Sequence, residues 1–192
     1  MNHRHIIVSL LLILFMGTGF AVTQAKPIVC KQDYALCTSA PCIPDPQHPD
    51  YAICSCVVEK GLSIGYKTCE QRRAKESKFK TKQIVSTFSF AEFNSKQNMS
   101  CAKGIPWTNC VDEPCTVNPM DSTKAICSCK IIQDQAFFTL GGDCDVKTCA
   151  TGFWSGATIA ASDLLRAPLL EALKLSKNPG PNNACSLKKE GE

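Results

Sequence analysis

The pentapeptide Ala-Ile-Cys-Ser-Cys occurs twice, at residues 52–56 and 125–129, and it constrains the fold more than any other feature of the chain. Shifting the sequence by 73 residues places Cys37, Pro41, Cys42, Pro46, Cys54 and Cys56 on Cys110, Pro114, Cys115, Pro119, Cys127 and Cys129, and Tyr34 on Trp107. A constant offset without gaps is the signature of an internal duplication. The shared pattern is Cys-x4-Cys-x11-Cys-x-Cys. Lys67-Thr68-Cys69 recurs as Lys147-Thr148-Cys149 at an offset of 80, so seven residues enter the second copy, in a region that holds the unmatched Cys144.

The N-terminus predicts the compartment in which these thiols sit. Arg4 precedes the apolar run 6–15, and the small-x-small site Thr23-Gln24-Ala25 follows. This layout is that of a secretory signal peptide over residues 1–25. The apolar core falls short of the roughly 20 residues a spanning helix needs. The formal charge of the whole chain is only +4, with Arg4 in the leader supplying one unit, too mild to argue for nucleic acid or membrane from overall balance. All 14 cysteines lie beyond the leader, and an exported chain this rich in cysteine reads as a disulfide framework. Zinc is the competing reading, but its thiolate knuckles belong to reducing compartments. With no Cys-x-x-Cys in the chain, a redox motif is not expected.

On a strand, the period of two puts the Cys54 and Cys56 sulfurs on one face, where they are poorly placed to bond each other. Each should reach a separate partner, with Cys37 and Cys42 nearest and Cys30 and Cys69 joining the ends of the unit. The first set is therefore Cys30, Cys37, Cys42, Cys54, Cys56 and Cys69. The second is Cys101, Cys110, Cys115, Cys127, Cys129, Cys144, Cys149 and Cys185, with Cys144–Cys185 as an extra bridge to the tail. The Pro-rich segments 43–50 and 116–122 read as stiff surface loops. Strands are expected at 52–59, 125–132 and 136–140, the first closed by Lys60-Gly61.

Between the two sets, residues 71–82 carry Arg72, Arg73, Lys75, Lys78, Lys80 and Lys82 against one acid, Glu76. Such a run can dock on a polyanion, or it can be a solvated connector. It lacks the interleaved aromatics that base stacking needs, Phe79 apart, so nucleic acid is not the expected partner. Residues 83–93 read as a sheet segment with Phe88 and Phe90 on one face. Asn98-Met99-Ser100 fits an N-glycosylation acceptor in a eukaryotic host. Phe153 and Trp154 read as core. A helix is expected over 162–175, capped by Ser162, with Leu165, Leu169 and Leu173 as its apolar stripe.

Catalytic signatures are scarce. Beyond the leader the only histidine is His48, and no Gly-x-Ser-x-Gly turn or Gly-rich phosphate loop occurs. Asp143 and Asp145 flank Cys144 without the oxygen-rich spacing of a calcium loop. The sequence thus predicts a mainly β, small disulfide-rich fold, a tandem duplication of a Cys-rich module with a C-terminal helix. Module 1 spans 26–70, the basic connector and strand segment 71–99, module 2 100–150, and the tail 151–192. No cofactor or metal is expected, and no transmembrane anchor after leader removal. The expected function is that of a secreted or periplasmic non-catalytic binding or inhibitory protein, contacting a protein or glycan through its Pro-rich loops. The alternatives are a hydrolase using Asp/Glu carboxylates on a polymer, and a polyanion-binding protein acting through the basic run.

Overall fold

A computed structural model describes residues 25–89, 98–140 and 153–174. The leader, Phe90 and Phe93, Cys144, Cys149 and Cys185, and the Asp143/Asp145 pair lie outside them. The described chain is mainly strand. In order the elements are β1 (Ile28–Leu36), β2 (Pro41–Pro44), β3 (Tyr51–Gly65), β4 (Lys75–Glu76), β5 (Lys82–Thr87) and β6 (Asn98–Cys101), followed by β7 (Trp107–Asn109), β8 (Pro114–Asn118), β9 (Asp121–Ile132), β10 (Phe137–Leu140), β11 (Phe153–Thr158) and helix α1 (Ile159–Ala172).

The two Ala-Ile-Cys-Ser-Cys segments lie in β3 and β9, which pair antiparallel, and Cys54 stands opposite Cys127, the residue 73 positions on. The register is symmetric about that one pair, with Ala52 opposite Cys129 and Cys56 opposite Ala125, so a local twofold axis passes between Cys54 and Cys127. The flanking ladders keep the same relation: Ala35 pairs with Val58 and Thr108 with Ile131, while Cys42 pairs with Cys54 and Cys115 with Cys127. Two further strands cross between the halves. Strand β5 runs parallel to β1 and antiparallel to β8, and β11 runs parallel to β7 and antiparallel to β2. The pairings close into two five-strand rings, β3-β1-β5-β8-β9 and β9-β7-β11-β2-β3, that share the central β3–β9 ladder. Closure leaves the ring strands few unpaired edges.

Alternation along β3 and β9 turns Ala52, Cys54 and Cys56, and Ala125, Cys127 and Cys129, into the interior. There they meet Cys37, Cys42, Cys110 and Cys115, with Ile84 and Val117 as the only larger aliphatic residues of this cluster that are buried. Five disulfides join Cys30–Cys69, Cys37–Cys56, Cys42–Cys54, Cys110–Cys129 and Cys115–Cys127. Cys101 is also disulfide-bonded. Sulfur thus fills an interior that small alanines leave thin, and each bridge stabilises the fold by roughly 2–4 kcal/mol through restriction of the unfolded chain.

Two serines tie the crossing strands down. Ser86 Oγ on β5 donates to Cys110 O and accepts from Glu113 N at 3.0 Å. Ser155 Oγ on β11 donates to Cys37 O at 2.6 Å and accepts from Ala40 N at 2.5 Å. Cys37 and Ala40 stand 73 residues before Cys110 and Glu113, so the two clamps are equivalent.

Several boundaries differ from the sequence reading. Strand β3 does not stop at Gly61 but runs through it to Gly65. Gly61 sits at φ 151°, open to glycine, and β1 pairs along the extension. The segment 116–122 is not a long loop but the β8–β9 hairpin, turning at Pro119 and Met120. The other Pro-rich segment begins as strand, because Ile43 and Pro44 belong to β2. Helix α1 starts before Ser162, because β11 leads straight into it and Thr158 Oγ1 accepts from Ala161 N at 3.1 Å as its cap. Pro168 lies inside the helix, and Leu165 and Leu169 are buried against Ile64 and Phe88 while Leu173 is exposed. Trp154 is half-buried. The fully buried Trp107 stacks on Phe137 with ring centroids 5.4 Å apart.

Candidate functional site

The basic run is not an extended connector. After the turn 68–72 it forms the β4–β5 hairpin, in which Lys75 pairs with Gln83 and Glu76 with Lys82. Ser77 organises the tip: its Oγ accepts from Phe79 N at 3.1 Å and Thr81 N at 3.2 Å and lies 2.6 Å from Thr81 Oγ1. Lys80 adopts φ 57°, and its N–H donates to Ser77 O at 3.0 Å. The tip carries Phe79 outward, 88% exposed, between the exposed Lys78 and Lys80.

Gln83 pairs with Lys75 on one side and Thr116 on the other, so the β4–β5 and β8–β9 hairpins lie side by side and point the same way. The second tip carries Met120, 92% exposed. Asn118 Oδ1 accepts from Met120 N at 2.9 Å and Asp121 Oδ1 from Thr123 N at 3.0 Å, which holds that turn in shape. The Thr123 hydroxyl first, and then its backbone N–H, keep the Asp121 carboxyl below its usual pKa. The two most exposed large apolar side chains among the described residues therefore stand on adjacent tips. Arg73, Lys75, Lys78, Lys80 and Lys82 are exposed along the first hairpin and its approach, Lys124 on the second, together with the acids Glu76 and Asp121.

Two of the six basic residues singled out by the sequence are engaged differently. Arg72 is fully buried and belongs to no exposed patch: its Nη2 donates to Ile28 O at 2.6 Å and meets Cys30 Sγ. Burial lowers its pKa, while the field of Asp112 raises it. The turn at 68–72 causes this, with Thr68 N donating to Gln71 Oε1 at 2.9 Å and Arg72 N to Thr68 O at 3.1 Å. Lys82 Nζ lies 2.7 Å from Asp33 Oδ2, and that hydrogen bond is the chief cause of the lowered Asp33 pKa.

The Pro-rich loop at 45–50 occupies the other end of the central ladder, where Ile131 N donates to Asp50 O at 2.8 Å. Some 20 Å of β3–β9 pairing separates it from the Met120 turn, so the two Pro-bearing segments do not form one surface. Beside it runs an open groove of about 550 Å³ lined by Asp50, Lys130, Gln133, Asp134 and Gln135. His48 Nδ1 lies 3.0 Å from Asp45 Oδ2. The Asp45 pKa is lowered, first by the Gln47 N–H and then by His48. Cysteine sulfurs approach in two threes, Cys37/Cys115/Cys127 and Cys42/Cys54/Cys110. Every one of those sulfurs is committed to a disulfide, so no thiolate set is offered to a metal there. Elsewhere, burial is the first cause of a raised Glu113 pKa, with Asp112 adding to it against Lys67.

No protein-family description, curated protein or solved structure matches this chain. Among the described residues no helix is long and apolar enough to cross a membrane.

Proposed function

We propose that this chain is an exported, non-catalytic binding protein that docks on anionic lipid headgroups through the end formed by its two hairpins. We read the 73-residue offset as a tandem duplication and residues 1–25 as a removed leader; the disulfide-filled interior suits an oxidising compartment. The observation that carries the docking reading is the pairing of Phe79 and Met120, both almost wholly exposed, on adjacent tips, with Lys78 and Lys80 flanking Phe79. Single apolar residues on a surface need no explanation, but two on neighbouring projections among cations match the chemistry of a headgroup interface. Each Lys or Arg near an anionic surface contributes about 1 kcal/mol, and apolar tips supply the second signal that stable docking requires.

Vesicle sedimentation tests it. The protein should sediment with phosphatidylserine-containing vesicles at physiological salt, less at several-fold higher salt, and little with phosphatidylcholine alone. Equal sedimentation with both lipids, or none with either, would sink the proposal. Retention on heparin without vesicle binding would instead support a polyanion site lacking the apolar component.

A second reading is favoured by the opposite end, where Ile43 is 64% exposed beside the rigid 45–50 loop and the polar groove. A protein or glycan held there would lose affinity when residues 45–50 are exchanged for a Gly/Ser loop of equal length.

A further inference from the structure

Four of the five disulfides paired above are sealed in the interior, with every cysteine 8% exposed or less. Cys30–Cys69 differs. Cys30 is buried while Cys69 is exposed on the turn at 68–72. Against the buried sulfur lies the Arg72 guanidinium, its Nη2 in contact with Cys30 Sγ. Arg72 Nε and Nη1 are buried and have no hydrogen-bond partner among the described residues. The acid whose charge acts on Arg72 is Asp112, whose carboxylate accepts from the N–H groups of Tyr66 and Lys67. A desolvated cation is thus held against a neutral sulfur with three of its five N–H donors unused. Beyond the field of Asp112 this buried charge lacks an ionic partner in contact, which is costly, and a negative charge on that sulfur would relieve the cost.

We propose that Cys30–Cys69 is an exchangeable disulfide, attacked at Cys69 by an external thiolate and releasing Cys30 as a thiolate paired with Arg72. The attacking sulfur bonds to Cys69 Sγ, the Cys69–Cys30 bond breaks, and its electron pair stays on Cys30 Sγ against the guanidinium. With a monothiol such as glutathione the product is a mixed disulfide on Cys69. With a dithiol donor, the second donor thiolate attacks the donor sulfur of that mixed disulfide. The donor leaves oxidised, and Cys69 departs as a thiolate that takes a proton from water. A cation beside the departing sulfur lowers its pKa, and lower-pKa thiols leave faster. The same turn that exposes Cys69 and buries Arg72 forms the base of the basic hairpin, so opening the bridge frees that base from β1. At the corresponding place after Cys149 the sequence has Gly152, so the arginine is particular to the first copy. This inference stands apart from lipid docking.

The oxidised full-length protein, treated with limiting glutathione under native conditions, quenched with iodoacetamide and mapped by mass spectrometry, tests it. The expected result is glutathione on Cys69, carbamidomethyl on Cys30, and the four sealed disulfides intact. Glutathione on Cys30, adducts spread evenly over the pairs, or no exchange short of unfolding would overturn the proposal. In the reduced pair, Cys30 alkylation should rise with pH at a midpoint below the ordinary thiol value of about 8.5. Arg72→Gln should return that midpoint toward the ordinary value and slow exchange roughly three- to tenfold, whereas Arg72→Lys should retain part of the effect. Should Arg72→Gln fail to fold, the wild-type profile decides alone: a midpoint at or above the ordinary value overturns the role of Arg72.

Discussion

If Phe79 and Met120 enter a headgroup layer, truncating them should cost a calculable share of the binding energy. Burying a Phe or Met side chain is worth about 1.5–3 kcal/mol, and at 88% and 92% exposure nearly all of that remains available in the free protein. Phe79→Ala should therefore weaken partitioning into anionic vesicles by about 2 kcal/mol, roughly 30-fold, and Met120→Ala by about tenfold or more. If both tips insert together, the double variant should lose about 300-fold or more, because the side chains sit on separate turns and their contributions should add. Neither change should move the unfolding midpoint by more than about 0.5 kcal/mol, since both side chains already face solvent. Salt separates the apolar component from the electrostatic one. The loss on Phe79→Ala should persist at high ionic strength, whereas the loss on combining Lys78→Gln with Lys80→Gln should shrink there. Partition coefficients from vesicle sedimentation titrations give all of these values. Phe79→Ala binding as tightly as the parent would refute the apolar half of the argument, and a salt-independent lysine effect the electrostatic half.

Three further outcomes test the fold and its ionisation. Ser155→Ala and Ser86→Ala each remove a hydroxyl that both donates to and accepts from buried backbone, so each should cost about 2–4 kcal/mol by chemical denaturation and by similar amounts. A loss confined to one of them would break the equivalence of the two halves. Replacing both members of Cys42–Cys54 or of Cys115–Cys127 by Ala should destabilise alike, because each closes 12 residues of chain and fills the shared interior; the chain-entropy contribution is about 3 kcal/mol apiece. Glu113→Gln should stabilise at neutral pH. The folded-state pKa of Glu113 is raised by burial, so the unfolded chain loses its proton first and stability falls as pH rises through that interval. The advantage of Gln should vanish below about pH 4, and denaturation midpoints across pH check it.

What the sequence disclosed, it disclosed through sulfur. Cys-x-Cys on a strand requires two separate partners, and Cys37 and Cys42 were the nearest; which sulfur takes which was open in the sequence, and the structure pairs Cys37 with Cys56 and Cys42 with Cys54. Strand content followed from the same residues. The crossing of β5 and β11 between halves was hidden, because its signal is one serine in each strand, and Ser86 and Ser155 do not stand out until the carbonyls they meet are known. The helix cap was misplaced for a related reason. Ser162 and Thr158 are both acceptable caps locally, and the strand feeding directly into the helix decides between them.

Arg72 gives the sharpest divergence between a charge pattern and its physical meaning. In the sequence it is one of six cations in twelve residues, indistinguishable from Arg73. Register cannot separate them, because the segment is neither helix nor strand at that point. The separation comes from the Thr68–Gln71 hydrogen bonds, which close a turn with position 72 facing β1 and position 73 facing water. One cation is thereby committed to a disulfide and its neighbours to a hairpin whose tip presents an aromatic ring. A run that composition alone describes as uniform thus holds two chemistries, and in each the turn geometry sets which atom of a partner the charge can reach.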